Sequence, residues 1–244
     1  GLAAAGSSVA ILGRRKDAAD SLAKEIKGSG GKAIGIKADV LDRASLEQAR
    51  ADVMKEFGSI DILVNAAGGN MPGAVIAPDK NFFSLNMDDF QKVVDLNLIG
   101  TVLPSQVFSE DMAKRKKGVI INIASMASFR PITRVVGYSA AKAGVENFTG
   151  WLAVEMAKKF GEGIRVNAIS PGFFITEQNK NLLTNPDGTY TARGQSAINQ
   201  TPFARFGKPD ELVGTLIWLC SDASAFVTGV NVAVDGGFNV FCGV

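Results

Sequence analysis

The stretch from Ser125 to Lys142 contains a hydroxyl, a phenol and an amine at a spacing that suits acid–base chemistry. Tyr138 lies thirteen residues after Ser125, and Lys142 lies four residues after Tyr138. Four residues are about one helical turn, so on a helix Tyr138 and Lys142 share one face. An ammonium beside a phenol lowers the tyrosine pKa, which favours proton exchange with a substrate oxygen near neutral pH. Ser125 follows an apolar run, and its hydroxyl could bind the same oxygen. A chance pair on a helix surface is the alternative.

Composition excludes several classes of protein. With 26 Lys and Arg against 24 Asp and Glu in 244 residues, the net charge of +2 predicts no nucleic-acid or acidic-membrane partner. The chain has no histidine, which excludes Ser-His-Asp hydrolysis and most zinc catalysis, so we expect no metal. The two cysteines form no disulfide framework, which favours a reducing, cytoplasmic location. No apolar run reaches the roughly 18 residues of a membrane span.

Short apolar runs alternate along the chain with segments of helical periodicity. Strands are predicted at 8–12, 32–37, 60–64, 119–124, 164–169 and 230–234. Helices are predicted at about 16–27, 43–57, 87–116, 139–160 and 209–221. Strands that are apolar throughout and alternate with helices indicate a parallel sheet covered on both faces. The sequence therefore predicts one α/β domain over residues 1–244.

Polar or turn-forming residues follow the predicted strands. Arg14, Asp39, Asn65, Ser125 and Pro171 each stand where a strand ends. Ligands of open parallel sheets bind beyond the carboxyl ends of the strands. We therefore expect these residues to lie along one ligand-binding edge.

These motifs together resemble the classical short-chain dehydrogenase/reductase family, over essentially the whole chain. The matching residues are Asn65-Ala66-Ala67-Gly68, Asn97, Ser125, Tyr138-Ser-Ala-Ala-Lys142, Asn167, Pro171-Gly172 and Asp235-Gly236-Gly237. The resemblance implies a Rossmann-like doubly wound parallel sheet, with strand order 3-2-1-4-5-6-7. It also implies NAD(P)-dependent hydride transfer to or from a carbonyl.

The same resemblance assigns catalytic roles to four residues. Tyr138 would be the acid/base, and Ser125 would orient the carbonyl. Lys142 would bind the nicotinamide ribose and lower the pKa of the tyrosine. Asn97 would hold a water that links Lys142 to solvent.

One part of the family pattern is missing from the sequence. Residues 1–6 read as the tail of a helix that ends at Gly6, and no first strand or glycine-rich phosphate turn precedes it. That strand would lie between those at 8–12 and 60–64, where its absence would leave backbone groups unpaired. We expect that an N-terminal segment carrying both features is absent; a naturally truncated fold is the alternative.

The residues after the first two predicted strands bear on cofactor choice. NAD-preferring relatives usually carry an acidic residue at the position of Gly13, whereas here a glycine is followed by Arg14 and Arg15. This pattern suits a 2′-phosphate, so NADP(H) is favoured and NAD(H) stays possible; a solvated Arg14 is the alternative. Asp39 would reach the adenine amino group, although capping a helix is a competing use. The other cofactor contacts implied by the family are Val40, Asn65, Ala66, Gly68, Tyr138, Lys142, Pro171, Gly172, Phe174 and Thr176.

A narrower resemblance, to the D-mannonate oxidoreductase (fructuronate reductase) branch, concerns the substrate. It rests on Gly68-Gly69-Asn70 and on segments 129–143, 172–183, 201–207 and 235–244. It implies a keto sugar acid, such as D-fructuronate or D-mannonate, beneath a covering segment at 171–208. The candidate substrate-binding residues are Asn70, Ser125, Arg130, Arg134, Gln178 and Arg193, with Asn179 and Lys180 as further polar candidates. Each alone could be an ordinary surface residue.

Two other functions compete with this interpretation. Reduction of 3-oxoacyl thioesters or other small carbonyls is the second enzymatic possibility, and a non-catalytic cofactor-binding protein is the third. The complete set of Asn97, Ser125, Tyr138 and Lys142 disfavours the third. The family resemblance also implies a homotetramer, in which the apolar tail 238–244 would be buried against a neighbouring subunit.

Overall fold

The computed structural model describes residues 1–176 and 179–243, and its strands form two parallel sheets. The strands are β1 (Ser8–Gly13), β2 (Lys32–Lys37), β3 (Ile62–Asn65), β4 (Gly118–Ile123), β5 (Ile164–Pro171) and β6 (Asn231–Val234). β1 pairs with β2, and β3, β4, β5 and β6 lie side by side in that order. The Rossmann-like α/β fold is thus confirmed. The complete seven-strand order stays a prediction.

Nine α-helices connect and flank these strands within the described residues. They are α1 (Lys16–Gly28), α2 (Arg43–Phe57), α3 (Met87–Val94), α4 (Gly100–Arg115), α5 (Met126–Phe129), α6 (Val136–Phe160), α7 (Lys180–Leu183), α8 (Ala192–Asn199) and α9 (Val213–Cys220). None of the helices in the described part of the chain is both long enough and apolar enough to cross a membrane.

Helices cover both faces of the sheet. Ile120 and Ile121 are adjacent on β4, both fully buried, and lie in different clusters. The larger cluster holds Ile120 with Leu46 of α2, Met112 of α4 and residues of α6, and the smaller one holds Ile121 with residues of α9. Because successive side chains of a strand point to opposite faces, this division places α2, α4 and α6 on one side and α9 on the other. Continuous apolar strands are the sequence signature of such double coverage.

The predicted single helix at 87–116 is interrupted. α3 ends at Val94, a π-helical turn spans Asp95–Ile99, and α4 begins at Gly100. A π turn inserts an extra residue into the helical ladder and is frequent at functional sites. Here it places the buried side chain of Asn97 at the middle of the turn.

Strand ends differ from the sequence prediction by at most two residues, and three other differences concern predicted helices. Residues before Gly6 form a hydrogen-bonded turn that ends at Gly6 with φ +94°, and not a helix. α6 begins at Val136, three residues earlier than predicted, so that Tyr138 lies in its first turn. The segment that Pro209 opens is a 3₁₀ turn, Pro209–Leu212, ahead of α9. The earlier start of α6 matters for the site, because the helix then fixes the backbone of Tyr138.

Candidate active site

Ser125 lies just beyond the carboxyl end of β4, where the chain turns into α5. Its backbone is extended, and its Oγ accepts a hydrogen bond from the N–H of Ala127 at 3.2 Å, which caps α5. Its carbonyl oxygen accepts a hydrogen bond from the hydroxyl of Ser170 at 3.0 Å. Ser125 is buried. The hydroxyl is therefore held at a fixed place at the end of the central strand.

The first two turns of α6 bring Tyr138 and Lys142 onto one face, as the spacing predicted. The Lys142 Nζ lies 5.7 Å from the centre of the Tyr138 ring. The same Nζ donates a hydrogen bond to the carbonyl oxygen of Ile123 at 2.7 Å, which ties the lysine to the end of β4. Lys142 is buried. Phenol, ammonium and the Ser125 hydroxyl thus converge at the end of β4.

The acid–base state of this group differs from the sequence expectation. Burial raises the pKa of Tyr138, and a hydrogen bond with the Ser125 hydroxyl offsets part of that rise. Burial lowers the pKa of Lys142 to about 8. The tyrosine pKa is raised in the chain alone, and not lowered as expected, because desolvation is the largest cause and the neighbouring lysine is bonded to Ile123. Tyr138 is therefore a neutral phenol near pH 7, the form that can donate a proton.

Asn97 fastens the loop after β3 to the π turn. Its Nδ2 donates to the carbonyl oxygen of Gly69 at 2.7 Å and to that of Val93 at 2.8 Å. Its Oδ1 accepts from the N–H of Gly69 at 3.2 Å. The backbone carbonyl of Asn97 accepts from Thr101 at 2.9 Å. The side chain positions the loop, while the role of Asn97 in holding a water stays a prediction.

Gly68 lies where three elements approach most closely. A Cβ built at this position would lie 2.7 Å from Asn97 Oδ1 and 3.5 Å from Lys142 Nζ. Real Cβ atoms essentially never show the first distance. Only glycine therefore lets the loop after β3 pass between the π turn and α6. The result is a backbone cradle beside Lys142.

A buried polar network lies beneath this cradle, and the sequence analysis did not foresee it. Asn65 Nδ2 donates to Ser105 Oγ at 2.8 Å and to Asn122 Oδ1 at 2.9 Å. Asn122 Nδ2 donates in turn to Thr149 Oγ1 at 2.9 Å. Asn65 was expected to line the cofactor site, but its amide group points inward to Ser105 and Asn122. Through Asn122 and Thr149 the network joins β3, β4, α4 and α6. The available signal was Asn122 itself, an amide within an apolar strand.

The two residues expected at the adenosine end lie at the carboxyl ends of β1 and β2. Arg14 follows β1 and is exposed. Asp39 follows β2, and its carboxylate accepts from the N–H of Leu41 at 3.0 Å. Asp42, and not Asp39, caps α2. The competing use of Asp39 as a helix cap is therefore excluded, and its carboxylate stays at the predicted ligand-binding edge. Val40 packs against the first residue of α4, since a Cβ on Gly100 would lie 2.9 Å from Val40 Cγ2.

The segment after β5 is fixed by a residue that was expected to bind sugar. Asn179 Nδ2 donates to the carbonyl oxygen of Phe174 at 2.8 Å, and its Oδ1 accepts from the N–H of Thr176 at 2.7 Å. The Asn179 side chain therefore shapes the backbone predicted to contact the nicotinamide. Gly172 donates its N–H to Val234 at 2.9 Å, and a Cβ there would lie 2.7 Å from the Cα of Asp235. Pro171, the last residue of β5, precedes it.

The candidate substrate residues have different environments. Arg130 stacks over the ring of Phe238, 5.5 Å from its centre. Asn70 is exposed beside the loop that Asn97 holds, and Ala66 is exposed earlier in that loop. Gln178 lies outside the described residues. The remaining two candidates are an exposed arginine at 134, with φ +74°, and a half-buried one at 193, at the start of α8.

Comparison with known proteins decides the family. A sequence model described as enoyl-(acyl carrier protein) reductase matches residues 1–239. The chain is 46% identical over 252 residues to an uncharacterized oxidoreductase of Bacillus subtilis, covering 100% of this chain and 90% of that protein. This chain belongs to the short-chain dehydrogenase/reductase family. As a member of the family, it is an NAD(P)-dependent oxidoreductase.

Two solved structures of family members show the same fold with cofactors bound. A proposed D-mannonate oxidoreductase from Haemophilus influenzae with bound NAD is 42% identical, at a TM-score of 0.92, over 100% of this chain and 90% of that one. A gluconate 5-dehydrogenase from Burkholderia cenocepacia in complex with NADP and tartrate is 32% identical, at a TM-score of 0.87, over 98% of this chain and 88% of that one. The bare backbone of Gly68 beside Lys142, and the Asp39 carboxylate at the carboxyl end of β2, suit a nicotinamide cofactor in this chain too.

Proposed function

We propose that this enzyme transfers a hydride between NAD(P)H and the ketone of a keto sugar acid, such as D-fructuronate, which would yield D-mannonate. The observation that carries the reaction is the convergence of Ser125, Tyr138 and Lys142 at the end of β4. The sugar-acid substrate is supported by the likeness to the proposed mannonate oxidoreductase and to the gluconate dehydrogenase that binds tartrate, a hydroxy dicarboxylate.

The proposed chemistry assigns each proton and hydride to a site. The bound nicotinamide cofactor supplies the hydride that reaches the carbonyl carbon. The Ser125 hydroxyl and the Tyr138 phenol hydrogen bond the carbonyl oxygen, and the phenol gives its proton to the alkoxide that forms there. Lys142, whose pKa burial lowers to about 8, lies beside the phenol and would bind the cofactor ribose. The raised pKa of Tyr138 keeps its proton available until the oxygen becomes basic.

Two arginines between Ser125 and Tyr138 in the sequence, and one in the covering segment, support an acidic substrate. Arg130, Arg134 and Arg193 take part in none of the ion pairs formed within residues 1–176 and 179–243. A carboxylate on the substrate would supply the missing anion.

A substrate screen tests the proposal. Hexuronates, keto sugar acids, aldonates and the matching neutral sugars are offered with NADH and with NADPH, or with the oxidised cofactors for alcohols, and the absorbance of the reduced nicotinamide is followed. We expect kcat/KM to be greatest for a keto sugar acid. A wild-type preference for fructose or for an acyl thioester would overturn the proposed substrate class.

Reduction of a 3-oxoacyl thioester is the second candidate. The family model that matches the chain carries the description of an acyl-carrier enzyme, which favours it. Acetoacetyl-coenzyme A in the same assay measures this activity directly. The assembled catalytic group disfavours a non-catalytic protein, and measurable turnover of any carbonyl in the screen would exclude it.

A further inference from the structure

Ser128 is bonded to the backbones of two members of the proposed catalytic group. It is the third residue of α5 and follows Ser125 by three residues. Its hydroxyl donates a hydrogen bond to the backbone carbonyl oxygen of Lys142 at 2.8 Å, and its N–H donates to the carbonyl oxygen of Ser125 at 2.9 Å. One small residue therefore links the end of β4 to the second turn of α6.

The hydroxyl bond is additional to those that α6 needs for its own structure. The carbonyl of Lys142 lies in the interior of α6, where a helical carbonyl accepts from the N–H four residues later. A carbonyl oxygen has two lone pairs, so the Ser128 hydroxyl occupies the second one. Removing the hydroxyl would leave this carbonyl bonded within its helix. The bond is therefore better suited to fixing the position of α6 than to holding the helix together.

Lys142 is bonded at both ends to the segment from Ile123 to Ser128. Its Nζ donates to the carbonyl oxygen of Ile123 at 2.7 Å, while its own carbonyl accepts from Ser128. These partners lie on either side of Ser125 in the sequence, so the two bonds close a ring of contacts around that residue. The Ser125 Oγ is itself held by the N–H of Ala127 at 3.2 Å. The Ser125 hydroxyl is thus placed relative to α6 from both directions.

A second polar contact between this region and α6 is longer. The N–H of Ile132, in the loop between α5 and α6, reaches the hydroxyl of Ser139 at 3.4 Å, beyond the usual range for such a bond. In addition, α5 is a single turn, and so short a helix has little stability of its own with which to keep its place. The alignment of α5 with α6 therefore depends on the shorter bond, the one from Ser128.

The Ser128 hydroxyl acts on the site through its neighbours. Its proton is donated to the Lys142 carbonyl, so the hydroxyl has no proton left for a substrate oxygen. Tyr138 lies one turn before Lys142, so a displacement of this part of α6 changes the separation of the Ser125 hydroxyl and the Tyr138 phenol. Both groups must reach one carbonyl oxygen, and a misplacement of about 1 Å can lower a rate by about 10²-fold.

We propose that Ser128 is a positioning residue of this oxidoreductase, whose hydrogen bond to Lys142 sets the separation at which Ser125 and Tyr138 bind one carbonyl oxygen. The inference rests on the proposed roles of Ser125 and Tyr138, and it does not depend on whether the substrate is a sugar acid. Cofactor binding should change little without the Ser128 hydroxyl, because the bond from the Lys142 ammonium to Ile123 does not involve Ser128.

Two substitutions separate the hydrogen bond of Ser128 from its packing. Ser128→Ala removes the hydroxyl, and Ser128→Cys keeps a group of similar shape whose thiol is only a weak donor. Initial rates are measured at saturating NADPH or NADH on fructuronate, or on acetoacetyl-coenzyme A if the wild type reduces only that. Both variants should lower kcat by roughly ten- to hundredfold, while the cofactor dissociation constant, from fluorescence quenching, changes by less than about threefold. A cysteine variant with wild-type kcat would show that Ser128 acts by packing, which would overturn the proposal.

A double-mutant cycle with Ser125→Ala tests the positioning itself. Once the Ser125 hydroxyl is removed, Ser128 has no hydroxyl to place, so adding Ser128→Ala should lower kcat by less than about threefold. A role in stability alone would lower kcat by the same factor in both backgrounds, and that result would overturn the proposal. Ser29→Ala is the control and should keep wild-type kcat. Ser29 also donates its hydroxyl to a helix carbonyl, that of Glu25 at 3.2 Å, but it is exposed and lies just after α1.

The outcomes distinguish the positioning role from the function on which it rests. Large losses for Ser125→Ala and Tyr138→Phe, with no loss for Ser128→Ala, would overturn the positioning role and leave the proposed chemistry in place. An enzyme whose kcat falls with none of the three substitutions would overturn both. The choice of substrate does not enter, because the variants are compared on the compound that the wild type reduces.

Discussion

The phenol of Tyr138 is the group whose removal tests the chemistry most directly. Tyr138→Phe deletes one oxygen and keeps the ring, so folding and cofactor affinity should stay nearly unchanged. General acid catalysis typically contributes about 10²–10⁴-fold, and kcat should fall by that order. Initial rates at saturating substrate give kcat, and quenching of protein fluorescence on titration with cofactor gives cofactor affinity. The matched control is Tyr190→Phe, because Tyr190 contacts Phe206 edge-on in the covering segment and should keep its rate. A Tyr138→Phe enzyme with more than about a tenth of wild-type activity would contradict the assigned role.

The amine of Lys142 predicts a particular dependence of stability on pH. Burial lowers its pKa from 10.5 to about 8 in the folded protein. Between these two values the unfolded chain binds more protons at this position than the folded chain, so this group makes the protein more stable as pH rises from about 8. Lys142→Met removes the titration and keeps the chain length. Urea unfolding of the cofactor-free proteins should therefore show wild-type stability rising relative to the variant between pH 7.5 and 10. A constant difference would show that the lysine is not desolvated.

Arg14 decides the cofactor prediction. It stands exposed at the carboxyl end of β1 after Gly13, where an acidic residue would bind the ribose of NAD. Arg14→Asp should move the ratio of kcat/KM for NADPH over NADH toward NADH, because a carboxylate repels a 2′-phosphate. Arg14→Ala separates loss of attraction from added repulsion and should give an intermediate ratio. A relative from Haemophilus was solved with bound NAD, so a wild-type preference for either cofactor is a real possibility that this experiment measures. An unchanged ratio would mean that Arg14 does not contact the cofactor.

At the scale of elements, the loop after β3, the π turn and α6 form one unit around Gly68. Gly68→Ala would place a methyl group 2.7 Å from Asn97 Oδ1, and Asn97 is buried and bonded to three backbone groups. The turn must shift, so we expect the free energy of unfolding to fall by about 1–3 kcal/mol. We also expect kcat to fall, because the shift moves groups next to Lys142. Urea denaturation and initial rates measure both.

The same helix offers the control for that substitution. A Cβ at Gly150 of α6 would have no heavy atom within 4 Å, so Gly150→Ala should be neutral or stabilise by up to about 1 kcal/mol. If Gly68→Ala behaved like Gly150→Ala, the close approach at the cradle would not constrain the site.

The elements also show where prediction from sequence succeeds and fails. The face shared by Tyr138 and Lys142 follows from helical periodicity, which is local, and β2 and α2 match their predicted bounds for the same reason. The π turn could not be predicted from residues 87–116, because it accompanies the packing of Asn97 against a loop that is distant in sequence.

Side-chain partners were the other failure. The sequence offered Asn179 as a sugar ligand, but its amide is complementary to backbone groups only three and five residues away. The buried chain from Asn65 to Thr149 depends on which strands become neighbours. The direction of the tyrosine pKa shift was predicted wrongly for a related reason, since the burial of a side chain cannot be deduced from the spacing of residues.

A further partnership is visible beneath Ser125. The single hydroxyl proton of Ser170 cannot serve both Ser125 O at 3.0 Å and Asn231 Oδ1 at 2.8 Å, while Asn231 Nδ2 is buried without a partner among the described residues. With the carboxamide of Asn231 turned over, its N–H donates to Ser170, and Ser170 donates to Ser125. That arrangement would connect β6, β5 and Ser125 by hydrogen bonds that all donate in the same direction.

For the whole molecule, two of the surfaces that carry exposed apolar side chains lie on α6 and in the region of α9. Trp151 and Val154 of α6 are 61% and 57% exposed and lie three residues apart, on one helix face. Trp218 of α9 is 40% exposed, and Phe226, shortly after it, is fully exposed. α6 and α9 cover opposite sides of the four-stranded sheet. Apolar surface of this kind marks places where subunits meet. In the tail, Phe238 packs against Phe173 of its own chain while Val240 stays exposed, and burial of the tail against a neighbouring subunit stays a prediction.

Two distinct self-complementary surfaces are what a tetramer with twofold symmetry requires, since each builds one kind of dimer and both together close the assembly. We therefore predict a homotetramer whose two interfaces can be broken separately. Trp151→Glu with Val154→Glu should leave a dimer held by the α9 surface, and Phe226→Asp should leave a dimer held by the α6 surface. Combining all three changes should give a monomer. Light scattering with sedimentation velocity measures the mass of each. Phe83→Asp is the control, since Phe83 is 92% exposed in the loop at 69–86, outside both surfaces, and should leave the tetramer intact. A wild-type monomer, or a tetramer that survives the triple change, would show that these surfaces do not assemble the protein.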